Sequence, residues 1–259
     1  MEIKKSKKLS ILILLATFIL LTGCQTSAAR DDSDPLEVIN RPIFNFNDSL
    51  DRHIMKPIAN SYVAITPKPV RTGITNFFDN LTYLNVILND ILQGKFAQGF
   101  DDSARFIVNS TVGFGGIMDP AGHGTLPKHD EDLGQTFGTW GMGEGVYLNL
   151  PLLGPNSTRD APDLVTSTLL NPLTYFAFAI SAPVSAINIV NKRANLLDAT
   201  KFRDEAALDS YAFTREAYRQ HRLSLIYDGN PPVEEMEDFF DEEDEYPDDS
   251  SAEDILIIE

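Results

Sequence analysis

The sequence predicts an all-α protein built from short amphipathic helices. Three observations lead there. Apolar residues recur at helical spacing in one segment after another, as in Ile39, Ile43, Phe46, Leu50 and Ile54, separated by 4, 3, 4 and 4. Proline and glycine clusters punctuate those segments, at Thr66-Pro67-Lys68-Pro69, Gly113 to Gly122 and Asp228-Gly229-Asn230-Pro231-Pro232. Strand-like alternation is confined to Val146–Leu152, where Pro151 argues against a central strand.

The first 23 residues read as an export signal. Lys4, Lys5, Lys7 and Lys8 precede an apolar run from Leu9 to Leu21, followed by Leu21-Thr22-Gly23-Cys24. That run, about 13 residues, is short for a membrane span, which needs about 20; an uncleaved N-terminal anchor is the alternative. The tetrapeptide resembles the lipobox of bacterial lipoproteins, and Cys24 is the single cysteine of the chain. The resemblance implies cleavage before Cys24, a diacylglycerol and an N-acyl chain such as palmitate on it, and firm anchoring by several chains. Gln25 follows, where lipoproteins kept at the inner membrane typically carry Asp, so sorting to the outer membrane is implied. Residues 24–33 read as a lipidated tether.

The helical body spans 34–232. Asp34-Pro35-Leu36-Glu37 is a helix-start pattern with Asp34 as cap, Pro35 at the first position and Glu37 completing a capping box. Pro42 is expected to kink or restart this helix, with Asn40 as a second cap. Val70, Ile74, Phe77, Phe78 and Leu81 form a second stripe. Leu84, Ile87, Leu88, Ile91 and Leu92 form a third, ended by Gly94 and Gly99. Ala104, Ile107, Val108, Thr111 and Val112 form a fourth, started by Asp101 and Asp102. From Gly113 to Gly122 the chain leaves helix as an apolar, glycine-hinged loop whose tip carries Phe114, Gly115, Gly116, Ile117 and Met118. This reads either as a packed connection or as a mobile loop against a lipid-sized ligand.

Asp132 to Pro155 holds Gly134, Gly138, Gly141, Gly143, Gly145 and Gly154 together with the only tryptophan, Trp140. So many glycines disfavour one long helix, since each costs ~0.5–1 kcal/mol relative to Ala. Backbone held close to another segment or a ligand explains them better. Leu164 to Asn191 contains no charged residue, but Asn171-Pro172 and Pro183 are expected to cut it into pieces. Pieces of about 10 residues rise about 15 Å, half of a ~30 Å hydrocarbon core. They read as a buried core-helix pair or as insertion into one leaflet. Arg203 to Ile226, with Tyr211, Tyr218 and Leu225 seven apart, predicts one long helix.

The net charge of −17 argues against nucleic acid as a partner. Fourteen of the 38 acidic residues fall in 233–259, which holds no basic residue and reads as a disordered acidic tail. No lipase elbow, H-E-x-x-H, EF-hand or phosphate-loop pattern occurs, so no enzyme activity, catalytic residue or cofactor is expected. His123 and His129 flank Asp130, Glu131 and Asp132, but a polar loop gathers such residues readily and no metal is expected.

An ordered series of segments resembles the MlaA (VacJ) outer-membrane lipoproteins over about residues 24–232. It runs through Asp34-Pro-Leu-Glu37, Asn40-Arg41, Phe44-Asn-Phe-Asn47, Asn76-Phe77 to Leu81 and Leu92-Gln-Gly94. It continues through Arg105-Phe106, Asn109-Ser-Thr-Val-Gly113, Gly115-Gly116 to Ala121 and Phe137-Gly138. Gly143 to Gly154, Thr158-Arg159-Asp160 and Tyr211 to Gly229 complete it. Pro42 departs from the pattern, and the acidic tail lies outside it.

The resemblance implies a ring of short amphipathic helices around a central amphipathic channel, embedded in the periplasmic leaflet of the outer membrane beside a trimeric porin. It implies removal of phospholipid that has strayed into the outer leaflet and delivery to a soluble periplasmic shuttle (MlaC-like), which maintains lipid asymmetry. By resemblance alone, Phe44, Asn45, Phe46 and Asn47 set the channel's resting state. A structural or virulence-associated lipoprotein scaffold without lipid passage is the rival reading.

Overall fold

A computed structural model describes residues 34–232 except Thr125. The signal peptide (1–23), Cys24 with its tether (24–33) and the acidic tail (233–259) lie outside the described residues. The chain divides at Pro35 into two units, and every element named here belongs to the second, Leu36–Glu259.

The first helix, α1 (Glu37–Leu50), starts later than the capping pattern suggests. Leu36 stands at the cap without a side-chain bond, and the Glu37 carboxylate accepts instead from Arg41 Nε at 2.7 Å. Pro42 neither stops nor restarts the helix. It is the sixth residue, so the hydrogen bond it forfeits belongs to the first turns, where little helix precedes it to be bent. Asn40 is not a cap. Its buried amide donates to Tyr147 O and its Oδ1 accepts from Asn149 N, both at 2.9 Å, fixing α1 to a hairpin.

A π-helical turn (Asp51–Met55) carries α1 into α2 (Lys56–Ile65), which stops at Thr66-Pro67 as expected. The second and third stripes merge into one 26-residue helix, α3 (Lys68–Gln93), closed by Gly94 at φ 78. The fourth stripe belongs to α4 (Phe96–Thr111), which begins before Asp101 and contains Gly99. A Cβ at Gly99 would lie 3.1 Å from the Asp90 Cβ, so this glycine lets α3 and α4 close, and Asp102 is buried between them rather than capping.

The glycine-rich stretch is a short helix, α5 (Leu133–Thr139), followed by an antiparallel hairpin of β1 (Tyr147–Leu150) and β2 (Gly154–Ser157). Its glycines do sit against other segments. A Cβ on Gly134 would meet Asp160 and Arg222, and one on Gly138 would meet Ile226 at 2.7 Å.

The uncharged stretch forms α6 (Asp163–Leu170), a 3-10 turn (Pro172–Tyr175) and α7 (Phe178–Asn195). Pro183 does not cut α7. Like Pro42 it is the sixth residue of its helix, and the break falls earlier, where Asn171 Oδ1 accepts from Leu173 N at 3.0 Å. The core-helix pair is also overturned. No residue of α6 is buried, and in α7 only Asn191 and Ala194 are.

The long C-terminal helix is two helices, α8 (Leu197–Ala206) and α9 (Ser210–Ile226). Asp209 divides them because its carboxylate accepts from Tyr211 N and Ala212 N, which starts a new helix. Phe44 of α1, Tyr147 of β1 and Tyr211 of α9 make the aromatic centre, with Phe44 and Tyr211 edge to face at 5.6 Å. Among the described residues, no helix is long and apolar enough to cross a membrane.

Candidate functional site

The loop after α4 is a left-handed turn. Phe114, Gly115 and Gly116 take φ of 53, 72 and 91. Gly115 N and Gly116 N bond back to Ser110 O and Asn109 O, which ends the helix. Gly116 has no substitute, since a Cβ there would stand 2.4 Å from the Asn80 Cβ. Phe114 holds a conformation that costs a non-glycine residue about 1–2 kcal/mol, yet its ring is 72% exposed. Ile117 and Met118 are exposed beside it.

The far end of the loop is anchored. Asp119 accepts from Arg105 Nη2 at 2.5 Å, Asn109 Nδ2 at 2.9 Å and Gly122 N at 3.0 Å. Burial opposes its ionisation, but these donors hold the Asp119 carboxyl below the usual carboxylate range. Asn109 Oδ1 also accepts from Ala121 N.

Two open cavities adjoin this loop, and a third lies beyond them. One of about 640 Å³ has polar lining from Lys68, Thr72, Asn76 and His123. The next, about 610 Å³, is walled by apolar residues that include Val70, Phe77, Val184 and Ile187. Pro69, Gly73 and Ile117 border both. Gly73 makes this possible, because a Cβ there would press on Ile117 Cγ2 at 3.2 Å. The third, about 550 Å³, shares Ile187 and continues along Ile58, Ile65 and Val190. A cavity that carries a few polar side chains in a mostly apolar lining thus adjoins an apolar groove between α3 and α7, with Ile117 common to both.

Of the expected site residues, Ile117 and Met118 line this system, while Phe114 and Gly115 stand at the tip. Phe44, Asn45, Phe46 and Asn47 do not join them. Phe44 sits in the aromatic centre, and Asn45 and Phe46 are exposed. Asn47 donates to Leu150 O at 2.9 Å and accepts from Leu152 N at 2.8 Å, so this segment clasps the hairpin. His123 lines the polar cavity, whereas His129 Nδ1 pairs with Asp102 at 2.9 Å. Among the described residues no group of three or more His, Cys, Asp or Glu is arranged to hold a metal.

Sequence reading missed Lys68, Val184 and Ile187, which only the packing of α3 on α7 assembles. Gly73, a lone glycine inside a helical stripe, was a legible signal of close approach. It also missed the ionic interior. Arg222 donates to both Asp132 oxygens at 2.5 and 2.8 Å and lies 2.9 Å from Asp160. Asp90 and Asp102 are both fully buried, and burial, reinforced by Asp102, pushes the Asp90 carboxyl up to about 7.

Comparison with known proteins gives one answer. The family model described as MlaA lipoprotein matches residues 32–224. The intermembrane phospholipid transport system lipoprotein MlaA of Shigella flexneri is 34% identical over 244 residues, covering 89% of this chain and 96% of that protein. The protein of the same name from Haemophilus influenzae is 30% identical over 233 residues, covering 86% and 92%. A solved structure, described as "Structural basis for maintenance of bacterial outer membrane lipid asymmetry", superposes with a TM-score of 0.66 at 34% identity. It covers 76% of this chain and 100% of that one. The chain belongs to the MlaA lipoprotein family.

Proposed function

We propose that this protein acts in phospholipid transport that maintains the lipid asymmetry of the outer membrane. In this reading it draws mislocalised phospholipid from the outer leaflet through a channel and passes it to a soluble periplasmic shuttle. It is anchored through acylated Cys24, sits in the periplasmic leaflet beside a trimeric porin, and carries out no covalent chemistry.

One observation carries the reading: polarity is inverted. Among the described residues, nineteen buried side chains are polar or charged and nine are apolar, while 33 large apolar side chains are exposed. A monomer in water rarely leaves so much apolar surface open. A leaflet's acyl chains cover such a surface without a spanning helix. The cavity bearing Lys68, Thr72, Asn76 and His123 beside an apolar groove offers room for a lipid's head and its tails, and the loop from Gly113 to Gly122 stands at their boundary as the element that controls access.

The test is extraction of the full-length protein from native outer membrane in mild detergent, with mass spectrometry of what accompanies it. Porin subunits and intact glycerophospholipids support the reading. Clean protein with neither moves the scaffold reading to the front. Fatty acid released from added phospholipid would show an enzyme instead.

A further inference from the structure

Where α3 meets α4, two carboxylates are buried together. Asp90 and Asp102 are both fully buried. Asp90 Oδ1 accepts from Gln98 Nε2 at 2.8 Å, and Asp102 Oδ2 pairs with His129 Nδ1 at 2.9 Å. Each carboxylate is left with one buried oxygen, Asp90 Oδ2 and Asp102 Oδ1, that meets no donor among the described residues. The two side chains lie within hydrogen-bonding reach of each other. Gly99 brings them there. A Cβ on it would stand 3.1 Å from Asp90 Cβ and 3.8 Å from Asp90 Oδ2, so that oxygen faces α4. Asp102 stands three residues after Gly99, on the same face of α4.

Two buried carboxylates side by side resist being ionised together, and one proton between them satisfies both free oxygens. The charged groups around the pair are otherwise engaged. Lys95 pairs with Glu131 and Asp228, and Glu131 also accepts from Gln98. Tyr83 of α3 stays neutral, its hydroxyl pushed up by burial. His129, with its side chain 26% exposed, joins the pair to solvent. Arg105, three residues after Asp102, donates to Asp119 and to Leu126 O, and its Nε is buried without a partner. This one guanidinium attracts the Asp102 charge and also holds the far end of the loop through Asp119.

We propose that Asp90 and Asp102 share a single proton, and that this proton is a pH-operated latch on the loop from Gly113 to Gly122. While it is held, the α3–α4 contact is bonded and Arg105 is left to Asp119. When it goes to solvent, two like charges face each other at the Gly99 contact, Arg105 is drawn from Asp119 to Asp102, and the loop loosens. Burial and the Asp102 charge push the Asp90 carboxyl up to about 7, so the latch is closed below that pH and opens above it. The latch stands whatever the loop admits; its bearing on access rests on the transport reading.

The experiment uses the full chain in mild detergent. Infrared difference spectra of wild type against Asp90→Asn should show the carbonyl stretch of a protonated carboxyl at about pH 5, lost by about pH 8. Asp90→Asn supplies a permanent donor to Asp102, and Asp102→Asn supplies one from the other side, so each fixes the latch closed. Hydrogen exchange then reads the loop through the Ala121 and Gly122 amides, which bond to Asn109 and Asp119. At about pH 8 they should exchange about tenfold faster in wild type than in either variant, the scale of one lost charge-assisted hydrogen bond. At about pH 5 the three proteins should match. His129→Gln should keep the wild-type response.

No protonated-carboxyl band in wild type at the lower pH overturns the shared proton. A band that titrates while the loop amides exchange alike in all three proteins overturns the latch. A response that disappears in His129→Gln assigns the titration to the histidine and overturns it too. Phospholipid transfer by wild type with no such titration removes the latch and leaves the transport reading. A loop that titrates as described in a protein that transfers no phospholipid at either pH removes that reading and leaves the latch.

Discussion

The Arg222 centre and the face of α7 obey opposite rules. At the first, a buried guanidinium is paired with Asp132 and lies 2.9 Å from Asp160, and the Tyr218 hydroxyl donates to Asp160 at 2.5 Å. At the second, Phe178, Ile180 and Ile189 are more than half exposed among the described residues. A helical protein in water would do the reverse. Burying charge is costly, and removing one partner of a buried pair costs more than the pair contributes. The centre is thus specified by mutual pairing rather than by hydrophobic burial, while the α7 residues keep their apolar surface open.

The strongest test of that contrast is Arg222→Leu. It leaves the Asp132 carboxylate without an ion-pair partner and takes one of two from Asp160, which keeps Arg159 at 2.9 Å, and such losses run to about 3–5 kcal/mol. For a domain of this size, the melting temperature in mild detergent should fall by about 10 °C. The companion Phe178→Ser, at a side chain 83% exposed, should change stability by less than about 0.5 kcal/mol. Equal effects would break the comparison.

Next in size are the loop glycines. Gly116→Ala must displace Asn80, while Gly115→Ala meets nothing within 4 Å and carries only the strain of its φ of 72. The first should cost about 1–3 kcal/mol, or about 5 °C, and the second clearly less. Parallel thermal melts of the two variants check this.

A smaller effect concerns pH. Burial, then the Asp102 charge, raises the Asp90 carboxyl to about 7. Asp102 is also raised by burial, against the pull of His129. Gln98 donates to Asp90, and Lys95, Arg105 and Glu131 are the other charges nearby. The folded state thus holds a proton that the unfolded chain releases near pH 4. Its stabilising contribution is complete below that pH and is lost as pH rises through about 7. Wild type should lose about 3 °C relative to Asp90→Asn between pH 5 and 8. Parallel melts that stay constant across that range would contradict it. Least of all, Lys201→Ala should change stability by less than about 0.5 kcal/mol, because its pair with Glu205 is long, at 3.9 Å, and exposed.

The sequence made some features legible because their cause is local. The stop at Thr66-Pro67, the cap at Gly94 and the unwinding at Gly113 each follow from the conformational range of one or two residues. It misled at Pro42 and Pro183 because proline is disruptive only where a preceding turn depends on its missing N–H. It misled at Asp209, whose helix-starting bond competes with a helical stripe that looked continuous. The uncharged stretch read equally well as core or as surface, since periodicity shows that a face is apolar but not what covers it. The polar cavity was beyond reach, as Lys68 and His123 are 55 residues apart and meet only through the loop's anchorage by Arg105 and Asn109.

Asn40 and Asn47 are seven residues apart on α1, and each acts as a borrowed peptide group for the hairpin. Seven helical steps come to about 700°, so the two amides lie nearly in phase, about 20° apart. Removing Asn45 and Phe46 leaves five steps and about 140° between them, and only one amide can then face the hairpin. Such a deletion is therefore an error of phase rather than a loss of side chains. It frees Leu150 O and Leu152 N while leaving every residue of the hairpin in place.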